Sequence, residues 1–94
     1  MSIENAIRSI IKDVDKNHVF DTHFVIRQLI KLHSDEYLKF ACHIKAETNI
    51  SALVNGHIGQ LIRDMKDLVE KMDWDFYSES FNGKTHSNAG WRKI

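Results

Sequence analysis

The sequence has no proline, one cysteine and only four glycines in 94 residues. With no proline and no low-complexity run, nothing reads as a linker, and the length suits one domain. The lone thiol, Cys42, makes no internal disulfide, which points to a reducing compartment. No stretch approaches the roughly 20 apolar residues of a membrane span. The opening segment MSIENAIRSI lacks the basic start and unbroken apolar run of a secretory signal. These absences predict a soluble, cytoplasmic single domain.

Net charge is also missing. Thirteen basic and thirteen acidic residues cancel, which argues against a generic nucleic-acid coat. The distribution is uneven, however. Residues 64–79 carry six acids (Asp64, Asp67, Glu70, Asp73, Asp75, Glu79) against two lysines. Residues 80–94 carry Lys84, Arg92 and Lys93 and no acidic side chain.

Hydrophobic spacing supplies the elements. In SIENAIRSIIKDV, Ile3, Ala6, Ile7, Ile10, Ile11 and Val14 form one stripe, with Ser2 placed to cap the helix and Glu4 in its first turn. HVF is a short extended piece. Asp21 then caps a second helix, THFVIRQLIKL, with Phe20 and Val25 at the spacing of a hydrophobic staple. Ser34 is placed to cap a third helix, 35–45, with Tyr37, Leu38, Phe40, Ala41 and Ile44 as its expected buried side. Asn49 or Thr48 caps a fourth helix, 50–66. After Lys66 the period changes. Met72, Trp74 and Phe76 alternate with Asp73, Asp75 and Tyr77, as in a strand with one buried face. Asn82–Gly83 is a strong hairpin signal, and AGWRKI suits the returning strand.

This order resembles the winged helix-turn-helix family over nearly the whole chain, through topology and pattern. The resemblance implies an α+β fold of four helices, a short strand and a C-terminal β-hairpin wing. It casts HVF as the strand that pairs with the hairpin, NISALVNGHIGQLIRDM as the recognition helix and LVEKM…GWRKI as the wing strands. The helix 35–45 is an addition to the family's plan.

The fourth helix carries two glycines, each costing about 1 kcal/mol in a helix interior. At 3.6 residues per turn, Ile50, Leu53, Val54, Ile58, Leu61, Ile62 and Met65 share one side. Ala52, Gly56, Gly59 and Arg63 fall opposite, flanked by Asn55 and Gln60. A bare outward face admits close approach by another backbone or a phosphate chain. Arg63, Asn55 and Gln60 are side chains of the kind that read bases, and Ser51 stands near them. Lys84, His86, Arg92 and Lys93 are candidate phosphate contacts on the hairpin. The first expectation is therefore a small regulator-like protein that binds double-stranded DNA. The alternative is a winged-helix module that binds protein through Ala52, Gly56 and Gly59. That class includes a homodimer and an inhibitor of a nucleic-acid machine.

The residues assemble no enzyme. Six histidines (His18, His23, His33, His43, His57, His86) are scattered without zinc-ligand spacing. Cys42 lies inside a helix and is expected to be a buried structural thiol. Asp73 and Asp75 suit a solvated strand face. GHIGQ lacks the Lys-Ser/Thr ending of a phosphate loop. His57 is expected to pack rather than to read bases. Trp74, Phe76, Tyr77, Phe81 and Trp91 are expected to pack the hairpin against the helices. No catalytic residue, cofactor or metal is expected.

Overall fold

A computed structural model describes residues 1–44, 50–79 and 85–94, the side chains of Ile50, Ser51 and His86 excepted. The expected Thr48 or Asn49 cap, the Asn82–Gly83 turn, Phe81 and Lys84 lie outside the described residues. Among the described residues, four helices, α1 (Ile3–Lys12), α2 (Thr22–Leu32), α3 (Ser34–His43) and α4 (Ile50–Arg63), accompany three strands. The strands are β1 (Val19–Asp21), β2 (Val69–Glu79) and β3 (Thr85–Lys93). They form one antiparallel sheet in the order β1-β3-β2. The fold is α+β.

Local chemistry starts each element. The Ser2 hydroxyl accepts the Asn5 N–H at 3.1 Å and opens α1, which buries Ala6, Ile7, Ile10 and Ile11. Each of those isoleucines contributes about 1.5–3 kcal/mol by leaving water. Asn17 has φ 72°, a left-handed conformation that asparagine tolerates better than most residues. That turn feeds β1, where Asn17 donates to the Lys93 carbonyl at 2.7 Å and Lys93 donates back to His18 at 2.9 Å. Asp21 ends β1 and caps α2, accepting the Phe24 N–H at 2.8 Å. Phe20 and Val25 are both buried, as the staple spacing requires. The core gathers α1, α2, α4 and β3 around Trp91, which is 1% exposed.

The helices differ from expectation at their ends and on one face. α3 begins at Ser34, and His33 stands at its N-cap without a side-chain cap bond. His33 also closes α2, its N–H donating to Leu29 at 2.8 Å, so Ser34 has no place outside the helix. α3 stops at His43, and only Tyr37 on it is buried. Leu38 and Cys42 are exposed, against their expected burial, because α3 lies at the margin of the core. α4 stops at Arg63, short of 66. Met65 donates to Ile62 three residues back and Leu68 to Met65, so tight turns carry the chain into β2.

The expected alternation in β2 holds for half-buried Met72 and Phe76 against exposed Asp73, Asp75 and Tyr77, but not for Trp74. Lys71 pairs with Trp91 and Asp75 with Ala89, so four steps along β2 match two along β3. The two extra residues bulge, and because two residues are one full period of a strand, the facing of the side chains is kept beyond them. Trp74, inside the bulged stretch, is 58% exposed, and Tyr77, expected to pack against the helices, is 78% exposed. Trp74 stacks flat on Phe76 instead of entering the core, with ring centroids 6.5 Å apart. Phe76 lies over Gly90, where a Cβ would collide with its ring.

Candidate functional site

α4 is turned as its apolar spacing predicts. Val54, Ile58, Ile62 and, just beyond its end, Met65 are buried. Ala52, Gly56, Gln60 and Arg63 are exposed on the opposite side. A Cβ at Gly56 would meet nothing within 4 Å. Gly59 does not share that openness. A Cβ there would lie 3.8 Å from Thr22 Oγ1, so this glycine faces the start of α2. Leu53 departs from the apolar side and is exposed. His57 is exposed too, with its ring edge-on to Phe40 at 6.3 Å.

The polar flank of α4 offers less than its composition promises. Asn55 is half-buried, and its Oδ1 is enclosed with no hydrogen-bond partner among the described residues. Gln60 donates from Nε2 to Asp64 at 3.2 Å. Arg63 is the one cation on the exposed side of this helix.

The hairpin cations are spread out and partly occupied. Arg92 donates from Nε to Glu70 at 2.7 Å and from Nη2 to the same carboxylate oxygen. Its Nη1 reaches Asn17 Oδ1 at 3.1 Å. The Lys93 ammonium donates to the neighbouring Ile94 carbonyl at 3.4 Å. The side chains of Lys84, His86 and Ser51 fall outside the described residues, so Gln60 and Arg63 are the expected base-reading side chains exposed on α4, and no described hydrogen bond joins them to a hairpin cation. Among the acids, Asp67 is engaged by both Nη atoms of Arg8. That hydrogen bonding holds the Asp67 carboxyl below its usual range and the Arg8 guanidinium above its own. Asp73, Asp75 and Glu79 remain exposed along β2.

A polar fastening at the start of α2 had no signal in the sequence. The Thr22 hydroxyl accepts the Trp91 indole N–H at 3.0 Å and contacts the Ala89 carbonyl at 3.3 Å. The His23 N–H donates to Asn88 Oδ1 at 2.9 Å, and Asn88 Nδ2 donates to the Phe76 carbonyl at 3.1 Å. His23 Nδ1 lies 3.1 Å from the Ser78 carbonyl and 2.8 Å from its hydroxyl. Arg27 adds a bond to the Glu79 carbonyl at 2.9 Å. The first two turns of α2 thus hold both hairpin strands, through the orphan His23 N–H and the side chains of Thr22, His23 and Arg27.

Among the described residues, no three His, Cys, Asp or Glu side chains gather as metal ligands would. No described helix is long and apolar enough to cross a membrane. Comparison with family models, with curated proteins and with solved structures finds no match for this chain.

Proposed function

We propose that this chain is a winged-helix domain that binds a partner protein through the outward face of α4. The order helix, short strand, helices, hairpin supports the fold reading. So does the β1-β3-β2 sheet, in which the short strand pairs with the returning wing strand. The observation that carries the function is the open ground at Gly56, bordered by Ala52 and Gln60. A helix that exposes so little side chain lets another surface approach its backbone closely. The balance falls toward protein because Arg92, one of the four expected phosphate contacts, is already held by Glu70 and Asn17. The exposed acids of β2 would repel a phosphate backbone.

A second reading is duplex DNA. Gln60 and Arg63 favour it, since both are exposed along the edge of that same face. One set of variants separates the two readings. Gly56→Glu should remove protein capture, and with it any homodimer, without lowering the melting temperature. Arg63→Ala should leave protein capture largely intact. Duplex titration at about 50 mM salt, where screening reaches only about 14 Å, should show no binding. Duplex binding with a log–log salt slope near −3, weakened by Arg63→Ala, would replace the protein reading with the DNA reading.

A further inference from the structure

A groove of about 540 Å³ opens between the end of α1, the strand β1 and the length of α2. None of its lining residues comes from α4, so it is distinct from the face described above. Its apolar floor is built from Val14, Val19, Phe24, Leu32 and Phe76. Val19 is 43% and Leu32 58% exposed, so part of that floor faces water. Phe76 reaches it from β2 only because Gly90 lacks a side chain where the ring crosses β3.

The polar lining is of one sign. Asp13, Asp15 and Asp21 border the groove, with His18 and Gln28, and no lysine or arginine is among the lining residues. Asp21 spends one oxygen on its cap, while Asp13 and Asp15 are exposed. Asp13 also sits at the C-terminus of α1, where the helix dipole adds partial negative charge. β1 is an edge strand of the sheet, and all three of its residues line the groove. An edge strand beside an apolar trough is a site at which an extended segment can add main-chain hydrogen bonds while one side chain anchors it. The volume falls in the range of ligand pockets, roughly 300–1,000 Å³.

We infer that this groove docks an extended, positively charged peptide segment of a partner protein, with one aromatic or large aliphatic side chain on the apolar floor and lysine or arginine facing Asp13 and Asp15. The charge of the rim selects the occupant. An acidic or phosphorylated segment would meet three carboxylates, and a neutral one would leave Asp13 and Asp15 without a counterpart.

The test uses the intact isotope-labelled protein and the synthetic peptide Lys-Arg-Trp-Val-Arg-Lys, with Glu-Asp-Trp-Val-Asp-Glu and Lys-Arg-Ser-Gly-Arg-Lys as comparators. The first peptide should shift the amide resonances of Val14, Val19, Phe24 and Leu32, and bind about tenfold more tightly than either comparator. The Asp13→Asn/Asp15→Asn double variant alters only exposed carboxylates and should keep the wild-type melting temperature. It should weaken binding about fivefold, in keeping with charge pairs at a solvated rim. Leu32→Ser should weaken it through the floor instead. Equal affinity for the basic and acidic peptides, no shift at about 1 mM peptide, or shifts centred on α4 would overturn the inference. Concentration-dependent shifts at the groove without peptide would make a second copy of the chain the occupant, which also overturns it.

Discussion

The Trp91 indole donates its N–H to the Thr22 hydroxyl at 3.0 Å, joining the returning strand to the first turn of α2 across 69 residues. Trp91 is the largest fully buried side chain, and its single polar atom is satisfied by the residue that follows the α2 cap. Thr22→Val keeps the shape and removes the acceptor. A buried donor left without a partner costs about 1–3 kcal/mol. The melting temperature should fall by about 4–8 °C per kcal/mol lost, whereas Thr22→Ser should retain most of the stability. Equal stability of the Val and Ser variants would show that the bond contributes nothing.

Gly90 and Phe76 form a second dependent pair. A Cβ at position 90 would collide with the Phe76 ring, and the ring is the far end of a side chain already stacked on Trp74. Gly90→Ala should therefore cost about 1–3 kcal/mol, the usual penalty of overpacking. Phe76→Ala should lose less in the Gly90→Ala background than in the wild type. A double-mutant cycle by denaturant unfolding measures that coupling. Strictly additive effects would mean that the ring moves aside without consequence.

The two glycines of α4 should respond differently to size. Gly56→Ala meets open space and should stabilise the fold by about 0.4–1 kcal/mol, since alanine restricts the unfolded chain and suits a helix. Gly59→Ala places a methyl group 3.8 Å from Thr22, an ordinary contact, and should also be tolerated. Leucine separates them. Gly56→Leu should keep the fold, while Gly59→Leu should press on Thr22 and lower the melting temperature. Loss of folding in Gly56→Ala would place that face inside the domain and remove the proposed contact surface.

Tyr37 gives the fold an alkaline limit. It is the buried residue of α3, and burial raises its pKa above the ordinary phenol value. The folded state thus keeps the proton at pH values where the unfolded chain releases it. Stability is complete below the unfolded pKa of about 10 and declines as pH rises through the folded value. Chemical denaturation between about pH 8 and 11 should show that decline in the wild type and a smaller one in Tyr37→Phe. The same slope in both proteins would assign alkaline loss to other groups.

Exposed acid pairing has the opposite sign. Arg8 depresses the Asp67 pKa mainly through hydrogen bonding, so the associated stability is present above the unfolded carboxyl value and is lost as pH falls through the folded one. The pair is exposed, and Asp67→Asn should change the melting temperature only slightly at neutral pH, less still in high salt. A large loss in high salt would contradict a screened surface pair.

The local features of this chain were legible in its sequence. The Ser2 and Asp21 caps, the stripe of α1, the staple positions Phe20 and Val25, the buried side of α4 and the returning strand at Trp91 all depend on neighbours within a turn or two. Periodicity and cap chemistry encode such neighbours directly. The α+β order followed from them, and so did the expectation of a bare face at Gly56. Tertiary structure decided what periodicity cannot carry. Strand pairing set the register shift between Lys71 and Asp75, and Trp74, which lies inside it, is exposed. Packing of α4 against α2 gave Gly59 a neighbour in Thr22. Glu70 and Asn17 took up Arg92 from 22 and 75 residues away, removing a cation that composition had offered to phosphate. The groove beside β1 likewise exists only where α1, α2 and Phe76 meet. These outcomes depend on which distant surfaces come together, and that is settled by packing the whole core at once.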